Sequence, residues 1–224
     1  MTWQLTSELS SYGAVKCLVY GVSGIGKTTL CGTAPKPVIL AAEPGLLVLK
    51  GKQIPFKLIK TVQDLEAAYR DLTSPQWADA YSTICIDNLT EIAEVVLLNA
   101  KAQVKDPRQA YGEVLEQTMR CMRAFRDIPG KHVVVLAQEE AHKEEASGMM
   151  QRWPMMPGNK LPQQISRLFD LVMRMYEMQG ADGSKHRVLQ TQPSSTATAK
   201  CRSDKLNEVE YPDLTEIFRK MLET

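Results

Sequence analysis

The chain has 224 residues, 44% hydrophobic and 24% charged, enough apolar material for one buried core. Lysine plus arginine (27) balances aspartate plus glutamate (26), so the formal net charge of +1 carries no bulk signature of a polyanionic partner, though a local basic path could sit within it. Five scattered cysteines and three unclustered histidines argue against a zinc site, and no run reaches the roughly 18 apolar residues of a membrane span. The odd cysteine count, and an opening MTWQLTSELS with no basic-then-apolar leader, read as a reduced, cytoplasmic setting.

Residues 15–20 are a short apolar run ending at Gly21, the pattern of a buried strand. A helix should begin at Lys27 and stop before Pro35 and Pro37. Residues 38–42, VILAA, read as a second buried strand, closed by Glu43-Pro44-Gly45. Residues 56–60 alternate and suit an edge strand. Val62, Leu65, Ala68, Tyr69 and Leu72 recur at helical spacing, so 61–72 is expected to be a helix, with Asp64 and Glu66 in its early turns. Residues 83–86 make a fourth strand ending at Asp87; helices are expected over 90–101 and 109–126.

Residues 132–137, HVVVLA, are a fifth strand, ending at Gln138. Residues 139–160 show no clear period and hold several prolines, glycines and methionines, as expected of a mobile loop that contacts DNA or a partner. A short helix at 162–168 precedes two strands, 171–178 and 186–192, joined by a hairpin at Ala181-Asp182-Gly183-Ser184. Lys185, His186 and Arg187 at that turn read as exposed, without a site role. An eighth strand is expected at 196–201, and residues 213–221 form a closing helix capped by Asp213. Strand–helix alternation followed by a strand-rich tail predicts one α/β domain over residues 1–224. It has a mostly parallel sheet with an antiparallel extension, and residues 1–13 precede it as an N-terminal extension.

Gly21-Val22-Ser23-Gly24-Ile25-Gly26-Lys27-Thr28 matches G-x-x-x-x-G-K-T at every fixed position, after a strand and before a helix. Glycines let successive backbone N–H groups converge on phosphate oxygens, and the helix start adds positive potential. Lys27 is expected on the β- and γ-phosphates of ATP, Thr28 on Mg²⁺, and Thr29 on the α-phosphate. Asp87, ending an apolar strand, is expected near the Mg²⁺ shell. Glu43 ends strand two on the edge where parallel strands meet ligands, and could orient the attacking water. Glu91 is the fallback, with an ordinary dipole explanation at a helix start. Gln138 could sense the γ-phosphate and pass its presence to the following loop.

These features resemble the RecA-like P-loop ATPase core. On AAEPG after strand two, ICID at Asp87, VLAQ at Gln138 and the hairpin-rich tail, the chain most resembles the small phage-encoded RecA-like ATPases of single-strand DNA annealing and recombination. The resemblance implies strand order 3-2-4-5-1-6-7-8, Glu43 as catalytic glutamate and Gln138 as the ATP-to-DNA link. It also implies Lys200 and Arg202 reaching the ATP of a neighbouring subunit in a homo-oligomer. It further implies single-stranded DNA and a single-strand-binding protein as partners, in a bacterial host cytoplasm. Without an oligomerisation extension or a separate C-terminal domain, annealing or loading fits this chain better than strand exchange.

For DNA contact the residues offer Lys143, Arg152, Trp153 and Lys160, cations and an aromatic suited to phosphates and bases. Glu139, Glu140, Glu144 and Glu145 oppose that use, and a methionine-rich loop also suits a protein partner. The alternatives are an ATPase that loads or remodels protein partners in replication or repair without touching DNA, a small-molecule kinase, and a nucleotide-binding protein with little turnover.

Overall fold

The computed structural model describes residues 13–77, 79–143 and 148–223; residues 1–12 of the expected extension, and Glu144 and Glu145, lie outside them. Strands β1 (Lys16–Gly21), β2 (Pro37–Ala41), β3 (Phe56–Leu58), β4 (Thr83–Asp87) and β5 (His132–Lys143) alternate with helices α1 (Lys27–Cys31), α2 (Val62–Thr73), α3 (Leu89–Gln103) and α4 (Pro107–Arg126). Then come β6 (Met150–Pro154), α5 (Lys160–Ile165), β7 (Leu171–Gln179), β8 (Lys185–Gln190), β9 (Lys200–Cys201), β10 (Val209–Glu210) and α6 (Leu214–Leu222).

The main sheet runs β10-β8-β7-β1-β5-β4-β2-β3. The six strands from β7 to β3 are parallel, and β8 and β10 add antiparallel pairings. Side chains alternate between two cores. Leu18, Tyr20, Ile84, Ile86, Val133 and Val135 face a core shared with α2, α3 and α4. Cys17, Val19, Cys85, Val134 and Leu136 face one shared with α1 and α6. Burial on both faces is why the central strands read as unbroken apolar runs. At about 1.5–3 kcal/mol per buried aliphatic side chain, these strands supply much of the gross driving force.

Two expectations are corrected. In the expected eighth strand only Lys200–Cys201 is extended, and it pairs antiparallel with the start of β7; β10 occupies the place beside β8. The expected loop 139–160 is largely a hairpin, since β5 continues to Lys143 and pairs with β6. Its charged residues conceal an internal network: Glu139 is held by Arg174 (Nε to Oε2, 2.7 Å) and Arg152 (Nε to Oε1, 3.4 Å). Tyr20, on the central strand, donates its hydroxyl to Arg152 O (3.1 Å) and Thr198 O (2.5 Å), anchoring the hairpin's return strand to the core.

Candidate nucleotide site

Register brings the C-terminal ends of four parallel strands to one edge. Gly21 of β1 aligns with Gln138 of β5, and Ala41 of β2 with Asp87 of β4. Gly21 must be glycine here, because a Cβ would lie 2.5 Å from the backbone oxygen of Met175 in β7. Beyond it the loop turns through Gly24 (φ 78°) and Gly26 (φ 108°), where L side chains are strained. A cleft of about 340 Å³ opens above, lined by Ser23, Gly24 and Gly26–Thr29 of the loop, with Glu43, Asp87 and Gln138 among the facing residues. Ile25 turns away into the α1-side core and Val22 is exposed.

Lys27 opens α1 and is only 7% exposed. Its Nζ donates to Gly21 O (2.7 Å), Val22 O (2.9 Å) and Gln138 Oε1 (3.3 Å). Burial pulls its pKa down, while Asp87, Glu43 and Glu139 oppose that. Thr28 Oγ1 donates to Asp87 Oδ2 at 2.7 Å. Burial pushes the Asp87 pKa up; the Thr28 bond and Lys27 pull it down, and Glu43 pushes it up. A buried ammonium bonded only to neutral oxygens beside a desolvated carboxylate bonded to a hydroxyl suits two missing charges. A phosphate would satisfy the first and a divalent cation the second. The residues present therefore fit nucleotide and Mg²⁺.

Glu43 follows β2 by two residues, and its Oε1 accepts from Asn88 Nδ2 at 2.7 Å. Asn88 Oδ1 in turn accepts from Glu91 N at 2.9 Å, capping α3. One buried amide thus caps the start of the helix and aims the acid. Glu43 lines the cleft and Glu91 does not. Asn88 escaped sequence reading because its partner lies 45 residues away.

Gln138 touches Lys27 through its side chain, and its backbone starts the hairpin. Its N–H donates to Thr90 Oγ1 (2.9 Å), Thr90 Oγ1 donates to Met155 O (2.9 Å), and Met155 N donates to Gln138 O (2.8 Å). Arg187, expected to be a bystander at its turn, lines the cleft.

Lys200 and Arg202 are not brought to this cleft. β9 pairs with the start of β7, at the opposite edge of the sheet, where Lys200 Nζ donates to Ser166 O (2.9 Å) and Arg202 pairs with Asp170 (3.0 Å). Of the residues expected on DNA, Arg152 is engaged by Glu139, and Trp153 leans on His142 with ring centroids 4.7 Å apart. Lys143 ends β5 and Lys160 opens α5, both exposed.

Fold and site together define an α/β P-loop NTPase with a RecA-like, mostly parallel central sheet. The family model described as "AAA domain" matches residues 14–203, so the chain belongs to that family and is an ATP-binding, ATP-hydrolysing enzyme. Among solved structures it is similar to a KaiC-like protein from the hyperthermophilic archaeon Pyrococcus horikoshii, at 14% identity and a TM-score of 0.43, over 78% of this chain and 76% of that one. No curated protein sequence matches it. No helix among the described residues is long and apolar enough to cross a membrane.

Proposed function

We propose that this ATPase works on protein partners, with the β5–β6 hairpin as the element that reports nucleotide state. The observation that carries the reading is Gln138. Its amide oxygen reaches Lys27 at 3.3 Å, and its backbone is tied to Met155 directly and through Thr90. A γ-phosphate competing for Lys27 would pull on that amide, and the strain would arrive at the hairpin.

In this reading the loop amides and Lys27 hold the phosphates, and Thr28 and Asp87 hold Mg²⁺. Magnesium, when bound, neutralises charge on the phosphate oxygens. Glu43, fixed by Asn88, accepts a proton from the attacking water. Lys200 and Arg202 contribute only across a subunit boundary, where the opposite sheet edge of one copy meets the cleft of the next. K200A should then lower turnover while leaving nucleotide affinity unchanged; unaltered turnover removes that role.

The partner class follows from charge. Arg152 is already paired by Glu139, while Met149, Met150 and Met155 are exposed and offer an adaptable apolar surface. A second reading has single-stranded DNA on the same hairpin; exposed Lys143 and Lys160, with Trp153 between them in sequence, favour it. Turnover measured with and without single-stranded DNA, on wild type and K27A in parallel, separates the two. We expect K27A-sensitive turnover that DNA leaves unchanged. A several-fold rise with DNA overturns the protein-partner reading in favour of the recombination or annealing role.

A further inference from the structure

β7 runs past the end of β1, turns at Gly180–Ser184 and returns as β8, so the β7–β8 hairpin stands beside the phosphate loop. Arg187 lies opposite Glu177 in this hairpin, yet Glu177 is engaged by Lys185 (3.7 Å). Among the described residues no hydrogen bond or ion pair holds the Arg187 guanidinium. It lies instead over the loop: a Cβ on Gly26 would sit 2.9 Å from Arg187 Nη1 and 3.5 Å from its Cδ. Arg187 and Lys27 are the two cations lining the cleft. They approach from different flanks, Lys27 leaning to the β5 side through Gln138 and Arg187 arriving from the β7–β8 side.

We propose that Arg187 is a phosphate-binding residue of the same chain, closing on the α- and β-phosphates that ATP and ADP share. Two observations place it at that end. It lies against Gly26, in the part of the loop whose amides cradle the α- and β-phosphates. The groups suited to the γ-phosphate and its water, namely Glu43 just after β2, Asp87 at the end of β4 and Gln138 on β5, stand across β1 from Arg187. A free guanidinium presents several N–H donors in a fixed fork, and charge-assisted bonds from such a fork to phosphate are short and strong. A glycine at position 26 leaves the guanidinium room to reach the loop. An alanine, which at a compatible position stabilises by restricting the unfolded chain, would here meet both the positive φ and the arginine.

The proposal rests on the nucleotide reading of the loop, so the test carries an arm for each. Dissociation constants for MgADP and for a non-hydrolysable MgATP analogue are measured by calorimetry on wild type, R187A, R187K, K185A and K27A, with melting temperatures confirming folding. R187A is expected to weaken both nucleotides about tenfold, the scale of one solvent-accessible charge-assisted contact. R187K should recover part of the loss, and K185A, on the same strand but engaged with Glu177, should match wild type within about twofold. If R187A binds both nucleotides as wild type does, Arg187 is not a phosphate ligand. If only the ATP analogue weakens, the residue belongs to the γ-phosphate and the assignment to the shared diphosphate is wrong. If K27A itself binds normally, the phosphate-loop reading falls and the Arg187 assignment falls with it.

Discussion

Asp87 is held in place by Thr28 but penalised as an anion by its burial and by Glu43. In the unfolded chain its carboxyl ionises at the ordinary value; in the fold it keeps its proton to higher pH. The folded state therefore binds more protons here, and above the folded pKa the ionised carboxylate subtracts from stability. A site kept ready for a cation thus costs the nucleotide-free protein something. D87N keeps an oxygen able to accept from Thr28 and removes the buried charge. It should raise the melting temperature of the nucleotide-free protein at pH 7–8, while Mg²⁺-dependent turnover drops by about 10–100-fold or more. A lower melting temperature in D87N would mean that the carboxylate supports the fold, and the trade-off would be refuted. Asn88, next along, shows a different economy: one side chain both caps a helix and orients Glu43, so its role is legible only once β2 and β4 are adjacent.

At the scale of elements, one hydroxyl bridges the two ends of the β5–β6 hairpin beside the site, in addition to the direct Met155 N to Gln138 O bond. Thr90 is buried, accepts from Gln138 N–H and donates to Met155 O. T90V preserves shape and deletes both bonds, leaving a donor and an acceptor unsatisfied, at a cost of about 1–3 kcal/mol. Chemical denaturation should register that loss, and hydrogen exchange should accelerate at Gln138 and Met155 more than at β1; protection equal to wild type would show that Thr90 does not tie the hairpin down. The same hairpin marks where sequence reading reaches its limit. Strands β1, β2, β4 and β5 are apolar on both faces, and the phosphate loop has fixed spacing, so local pattern suffices for them. β3 showed its edge character by alternating, and it is indeed the terminal strand. β6, β9 and β10 are short and mix polar with apolar residues, and their pairings are set by distant partners: Arg174 and Arg152 make Glu139 a buried anchor in what reads as a solvated acidic run. Arg187 was obscured for a related reason, since nothing in its sequence neighbourhood reveals that the turn overhangs Gly26.

Taken as a whole molecule, the sheet has a chemically committed edge and a structural one. The phosphate loop, Glu43, Asp87 and Gln138 gather at the C-terminal ends of the parallel strands. At the other edge, His132 begins β5, accepts from Val15 N through Nδ1 (3.0 Å) and stacks on Phe218 of α6 with centroids 4.3 Å apart and planes 7° from parallel. That contact joins the start of the central strands to the closing helix. Burial, then the nearby Lys16 charge, lower the His132 pKa to about 4 from an ordinary 6.5. Protonation would also put a hydrogen where Val15 needs an acceptor. The unfolded chain therefore takes up this proton first, so the His132 contribution is fully present above pH 6.5 and is lost as pH falls toward 4. The slope should stay below the limit of about 1.4 kcal/mol per pH unit for one proton, because the ring is partly exposed. H132Q retains an acceptor but neither titrates nor stacks. It should be less stable than wild type at neutral pH, and the gap should narrow steadily as the pH is lowered through that window. Urea denaturation at half-unit intervals would follow the difference, in which other carboxylates cancel. Two curves that stay parallel from pH 6.5 to 4 would rule out His132 as a source of acid sensitivity. A converging pair would place the protein's acid weakness at the edge remote from its nucleotide, where it can loosen the closing helix without touching the residues that bind phosphate.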